Sequence, residues 1–163
     1  MKHLTTPITD DDLNNLNVGD KITISGTIYT GRDAALPQLV KLLEKNEVPF
    51  DTQGMVIMHT AFSDAGIAPT TSNKEEIEST IPYLSENGVK IHIGKGMLND
   101  ETAKSLNENN SIFVITPPVA ALLTNKVLEK KCVLFENEGM EAMFELKVEN
   151  IPGIVAIHKG KKI

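Results

Sequence analysis

The chain is poor in the residues that usually announce a chemistry. It has one cysteine, Cys132, no tryptophan, and only 4% aromatic residues among 163. A single thiol excludes a disulfide framework, and one sulfur cannot by itself hold zinc or an iron–sulfur cluster. Scarce aromatics leave the core to Ile, Val, Leu, Met and Ala, with little to stack against a base or ring. Arginine is rarer than any other charged type: Arg32 stands alone against fifteen lysines. Acidic residues exceed basic ones, 22 to 16, for a formal charge of −6. That excess argues against nucleic acid or an anionic membrane surface as the main partner, while leaving room for a local cationic pocket. The start, Met1-Lys2-His3-Leu4, has no apolar leader core and no apolar run reaches membrane-spanning length, so a cytoplasmic location is expected. A chain of this length suits one domain, 1–163, with a real core.

What is present is organised around 22–33, ITISGTIYTGRD. Ile22 and Ile24 alternate with Thr23 and Ser25, which predicts a strand over 20–29 with one buried face. The segment runs through Gly31-Arg32-Asp33 into Ala34, Ala35, Leu36, Leu39, Val40, Leu42 and Leu43. That pattern predicts a helix over 32–45, with Pro37 near its first turn, where a missing amide costs little. A planar two-pronged cation at a helix start suits a carboxylate or phosphate, because free amides and the positive end of the helix dipole point the same way. The alternative is a surface arginine paired with Asp33 or a neighbouring acid.

Residues 1–17 read as an arm and a short helix capped by Thr9, with Asp10, Asp11 and Asp12 complementing the helix dipole; the ligand spacing of a calcium loop is missing. Further strands are expected over 55–59, 89–93, 111–115 and 133–135, with short ones over 144–148 and 154–157 around Pro152-Gly153. Helices are expected over 74–84, from Asn99 or Asp100 to 107, and over 119–126 behind Thr116-Pro117-Pro118. His59 ends its strand, either as a structural residue or as a ligand or general base. Residues 60–73, TAFSDAGIAPTTSN, lack any period, and loops of that length are often functional. Ser72 with Glu75 fits a capping box, leaving Thr70 and Thr71 over beside Lys74; a second anion-facing helix start is the alternative. The strand over 89–93 runs into Gly94-Lys95-Gly96, where glycines on both sides let a ligand approach an ammonium, or where a tight turn exposes a lysine. The GxxxxGK[ST] spacing of a phosphate loop is absent. Lys159-Gly160-Lys161-Lys162 reads as a solvated tail. Strands alternating with helices predict a mixed α/β layer structure. Arg32, Lys74 and Lys95 each sit at a junction, and ligands in open α/β sheets bind outside the carboxyl ends of strands. Convergence of these junctions would make a pocket for a small dicarboxylate, with Thr70 and Thr71 as hydroxyls beside it.

Taken together, SGTIYTGRDAA, APTTSNK, IGKG, the Pro-Pro-Val-Ala-Ala-Leu-Leu segment and FENEGMEAMFELKVENIPGIVAI resemble the C-terminal domain, or separate β subunit, of class I fumarate hydratases and L(+)-tartrate dehydratases. The blocks occur in order over 18–157. The resemblance implies a swivelling β/β/α domain, a mixed sheet with flanking helices, pairing with an α subunit that carries a [4Fe-4S] cluster; this chain would bind no cofactor or metal itself. It implies that Arg32 and Lys95 clamp substrate carboxylates, with Lys74 and Thr71 also in the binding site and Thr70 as the candidate base. The cluster would bind the leaving hydroxyl as a Lewis acid. Fixed cations would stabilise the charge gathered by a carbanion-like intermediate.

The sequence departs from the family pattern at Leu36, where a histidine is usual, at Lys74, where an arginine is usual, and at Ala68, where a glycine is expected. The implied function is a hydro-lyase β subunit, active only with its partner, that hydrates fumarate to malate or, second, dehydrates tartrate. The rival from another class is a non-catalytic dicarboxylate-binding or assembly subunit; a free-standing phosphate-binding domain is a third reading. The isolated chain would self-associate through the surface meant for the α subunit, consistent with exposed Phe62 or Ile67.

Overall fold

The computed structural model describes residues 1–63, 66–67, 78–116 and 123–163. In chain order these form β1 (Lys2–Thr5), α1 (Asp10–Asn14), β2 (Lys21–Thr30), α2 (Leu36–Glu44), β3 (Met55–Met58), β4 (Phe62–Ser63) and β5 (Gly66–Ile67). There follow α3 (Ile81–Glu86), β6 (Val89–Gly94), α4 (Asp100–Glu108), β7 (Ile112–Ile115), β8 (Val127–Leu134), a 3₁₀ segment (Glu136–Glu141), β9 (Met143–His158) and β10 (Lys161–Lys162). The architecture is mixed α/β, a sheet with flanking helices. β2, β3, β6 and β7 are neighbours in that order and all parallel. β9 runs antiparallel to both β7 and β2, so the pairing returns to its starting strand. β1 lies parallel to the first half of β2, and β8 lies antiparallel to the first half of β9.

Period-two alternation divides the core into two faces. Ile22, Ile24, Val56, Met58, Ile91, Ile93, Ile112 and Val114 join one buried cluster, which Leu13 and Leu16 close from the α1 side. Ile57, Phe113 and Ile157 point to the other, against Leu36 and Leu39 of α2, Ile81 and Leu84 of α3, and Ala103 and Leu106 of α4. Each fully buried Leu or Ile of this kind contributes about 1.5–3 kcal/mol relative to exposure. α1 starts as expected: Thr9 Oγ1 accepts the Asp12 N–H at 3.2 Å and Asp12 Oδ2 accepts the Thr9 N–H at 2.9 Å. Asn99 caps α4 through the Thr102 N–H at 2.8 Å.

Several expectations are corrected. The N-terminal arm is a strand, because residues 2–5 find a parallel edge on β2. The two short terminal strands are one strand of 16 residues. Pro152 is tolerated there because β9 has no second neighbour between Val148, where β8 stops, and Ile154, where β7 begins. Asn150 takes a left-handed φ of 55° and gives its N–H to Ser25 Oγ at 2.9 Å, which absorbs the bulge between Ile24 and Gly26. α2 starts at Leu36 rather than Arg32: the Arg32 carbonyl accepts from the Ala35 and Leu36 N–H groups at 3.0 and 2.9 Å, closing a turn first. The stretch beginning at Thr60 contains the antiparallel β4–β5 pair. Of the helix expected over 74–84, residues 74–77 lie outside the described residues, and the described part turns at Ser79-Thr80 before α3, with Pro82 in its first turn. Phe62 and Ile67 are buried, so they offer no exposed surface for self-association. The C-terminal lysines are not a free tail: Lys162 Nζ bonds Asp100 Oδ1 at 2.7 Å and the Leu98 carbonyl at 2.8 Å.

Candidate functional site

The parallel strands end on one edge in register. Thr30 of β2 pairs with Met58 of β3, Met58 with Ile93 of β6, and Ile93 with Val114 of β7. Two residues beyond that row stand Arg32, Thr60, Lys95 and Thr116. Adjacent strands lie about 4.8 Å apart, so the ends of β2 and β6, with β3 between them, are on the order of 10 Å apart. Long cationic side chains from those two ends can reach opposite ends of one small dianion.

Arg32 is tied to Glu141, the last residue of the 3₁₀ segment. Its Nε donates to both carboxylate oxygens at 2.5 Å, and both side chains are about one-quarter exposed. The platform is stitched from β9: Tyr29 Oη donates to Glu145 Oε2 at 3.1 Å, and the Phe144 N–H donates to Thr30 Oγ1 at 3.3 Å. Burial, then the charge of Glu145, pushes the Tyr29 hydroxyl above its ordinary range, so it remains a donor. Lys95 is exposed and makes no ion pair with a described residue; Gly96 beside it has a φ of 79° that a side chain would strain.

Between these two cations the row carries a buried polar chain. Ser85 Oγ of α3 lies 2.9 Å from His92 Nε2, and His92 Nδ1 lies 3.4 Å from His59 Nε2. Burial pushes His59 down to about 4 and holds His92 well below the usual histidine range, with His59 acting in the same direction on it. Both rings are therefore neutral at pH 7, and neither is a charged anion ligand. Thr116 Oγ1, at the end of β7, is buried with no hydrogen-bond partner among the described residues.

Other concavities suit a dicarboxylate less well. One of about 680 Å³ opens between α3 and α4 beside Met97 and Leu98. It contains the buried Glu78 carboxylate, which accepts from the Asn99 N–H at 3.3 Å and from Thr102 Oγ1 at 3.2 Å. A fixed anion disfavours a second one. A groove of about 460 Å³ next to the Arg32 platform is lined by Phe62, Lys130, Cys132, Met140 and Phe144. Burial and Glu136 push the Cys132 thiol up, so it is a thiol rather than a thiolate. Among the described residues no group of three His, Cys, Asp or Glu side chains is placed to hold a metal. No helix among them is long and apolar enough to cross a membrane.

Of the residues singled out in the sequence, Arg32 and Lys95 come to the same edge. Thr70, Thr71 and Lys74, with Ser72, lie outside the described residues, as does most of the segment behind Pro117. Leu36 is fully buried beneath Gly31, so the departure at this position changes packing under the end of β2. Sequence reasoning missed Glu141, which only tertiary pairing identifies. It also missed Ser85 and His92; the one available cue was a histidine in the middle of an apolar alternation, facing opposite Ile91 and Ile93.

A family model described as Fumarase C-terminus matches residues 2–163. An Escherichia coli (strain K12) protein named "L(+)-tartrate dehydratase subunit beta" is 32% identical, covering 96% of this chain and 82% of that one. A Methanocaldococcus jannaschii protein named "Putative L(+)-tartrate dehydratase subunit beta" is 32% identical over 96% of this chain and 87% of its own length. A Geobacillus stearothermophilus protein named "Putative fumarate hydratase class I" is 29% identical over 94% of this chain, which corresponds to 31% of that longer protein.

Proposed function

The chain belongs to the Fumarase C-terminus family, and from that membership we propose that it is the β subunit of a hydro-lyase acting on a C4 dicarboxylate. Fumarate with malate and tartrate are the candidate substrates. The observation that carries the reading is the register that brings Arg32 and Lys95 to one edge, one strand apart. A substrate carboxylate at each cation is oriented at both ends, and charge developing on one of them as a proton leaves carbon is met by a fixed positive group. Thr70 is the proposed base, with Thr71 and Lys74 beside the substrate. The 2–163 match supports a swivelling β/β/α arrangement, and the subunit would work in the cytoplasm.

The "subunit beta" of the relatives' names supports an α-subunit partner, and to that partner the reading assigns the iron–sulfur cluster. The test is anaerobic co-expression with the cluster-bearing partner, followed by turnover assays on fumarate, malate and tartrate. Wild type should turn over at least one acid, and Arg32→Ala should lose at least a hundredfold in kcat/KM while the complex still assembles. A cluster-loaded wild-type complex inert towards all three acids, yet binding them, would replace this reading with the non-catalytic binding subunit.

A further inference from the structure

We propose that Glu141 is a positioning residue: it fixes the plane of the Arg32 guanidinium so that the Nη edge is presented to a substrate carboxylate. The inference rests on the carboxylate-binding reading of Arg32 and extends it to a residue whose role is to orient that cation. Its basis is which nitrogen the ion pair uses. Both Glu141 oxygens approach Nε, and neither Nη group bonds any described residue. A guanidinium offers two edges for bidentate pairing. A resident carboxylate seated on the Nη fork would occupy the place a substrate needs; one on Nε restrains the side chain and leaves that fork open.

The anchor is itself held. Glu141 stands two residues before β9, whose first residues are locked onto the end of β2 by the Phe144 N–H to Thr30 Oγ1 bond and the Tyr29 to Glu145 bond. Arg32 likewise leaves β2 through a turn in which its own carbonyl takes two N–H groups. Backbone on both sides of the ion pair is thus determined by the same strand pairing. Lysine could not do this work: an ammonium has no plane to orient. The lone arginine of a lysine-rich chain stands where a plane can be held.

The experiment uses the assembled complex with its partner subunit, and reads the Kd for succinate, a non-reacting dicarboxylate, together with KM in turnover. Glu141→Ala should weaken succinate about tenfold and raise KM in parallel, with kcat within about threefold, and Glu141→Gln should fall between it and wild type. In an Arg32→Lys background the same Glu141→Ala change should alter Kd by less than about twofold, because no plane remains to be held. Tighter succinate binding in Glu141→Ala would overturn the proposal and make Glu141 a competitor for the site. An unchanged Kd, or an equal change in both backgrounds, would overturn it as well. Arg32→Lys indistinguishable from wild type, or no succinate binding by wild type, would instead defeat the carboxylate-binding reading beneath it.

Discussion

His59 and His92 place a titration inside the protein. The unfolded chain takes up a proton on each below about pH 6.5, whereas folded His59 resists until about 4 and His92 is displaced the same way by burial. Stability from these groups is therefore complete above the unfolded value and is lost as pH falls from there towards the folded one. His59 alone should cost about 2 kcal/mol between pH 7 and pH 5. His158, also pushed down by burial, adds in the same direction. The lowered carboxyls of Asp10, Asp20 and Asp100 act in a separate, more acidic window. Thermal unfolding followed from pH 8 to pH 5 should show Tm falling steadily below 6.5, and His59→Asn should flatten part of that slope. A flat Tm across the range would mean that the pair is not held neutral. None of this was legible in the sequence, where His59 is only a histidine at a strand end. Its partner lies 33 residues on and meets it only because β3 and β6 are neighbours.

At the scale of elements, sequence succeeds where the cause is local. Alternation identifies β2 and β6, short apolar runs identify β3 and β7, and the caps at Thr9 and Asn99 open α1 and α4 where a side-chain oxygen can meet a free N–H. It fails where the cause is a neighbour. Pro152-Gly153 reads as a break, yet a single strand passes through it because β9 switches partners there. Gly153 is required at that crossing: a methyl group in its place would collide with Val114 Cγ1 and crowd the Ile115 carbonyl, both on β7. Gly153→Ala should destabilise the fold by about 1–3 kcal/mol, the usual range for overpacking. Urea unfolding would measure it, and a wild-type midpoint would show that β7 and β9 can separate freely. Glu78 makes a parallel case at α4. Its buried carboxylate takes N–H and hydroxyl bonds from Asn99 and Thr102 at the start of that helix, so Glu78→Ala leaves both donors unmet and should cost about 1–3 kcal/mol. Urea midpoints of Glu78→Ala and of Glu78→Gln, which keeps an acceptor, would separate that loss from one of charge. The candidate site divides along the same line: Arg32 and Lys95 announce themselves as cations at strand ends, while Glu141 is brought to Arg32 from 109 positions away.

For the whole molecule, the strand-end edge supplies positive charge but lacks a reactive acid–base pair among its described residues. His59 and His92 are buried and neutral, Cys132 is protonated, and Arg32 and Lys95 hold charge rather than move it. Such a surface can bind a dianion and orient it, and on the proposed reading turnover needs the partner's cluster as well as Thr70. The isolated chain should consequently show no turnover of fumarate or tartrate while still recognising the dicarboxylate. A ligand at ten times its Kd stabilises by about 1.4 kcal/mol, which for a chain of this size raises Tm by about 3–5 °C. Succinate and inorganic phosphate, compared at equal concentration and ionic strength, should differ: two cations one strand apart match a dianion with separated charges better than a compact one. Greater protection by phosphate would shift the reading to a phosphate-binding domain centred on Gly94-Lys95-Gly96. Turnover by the chain alone would overturn the division of labour between the subunits.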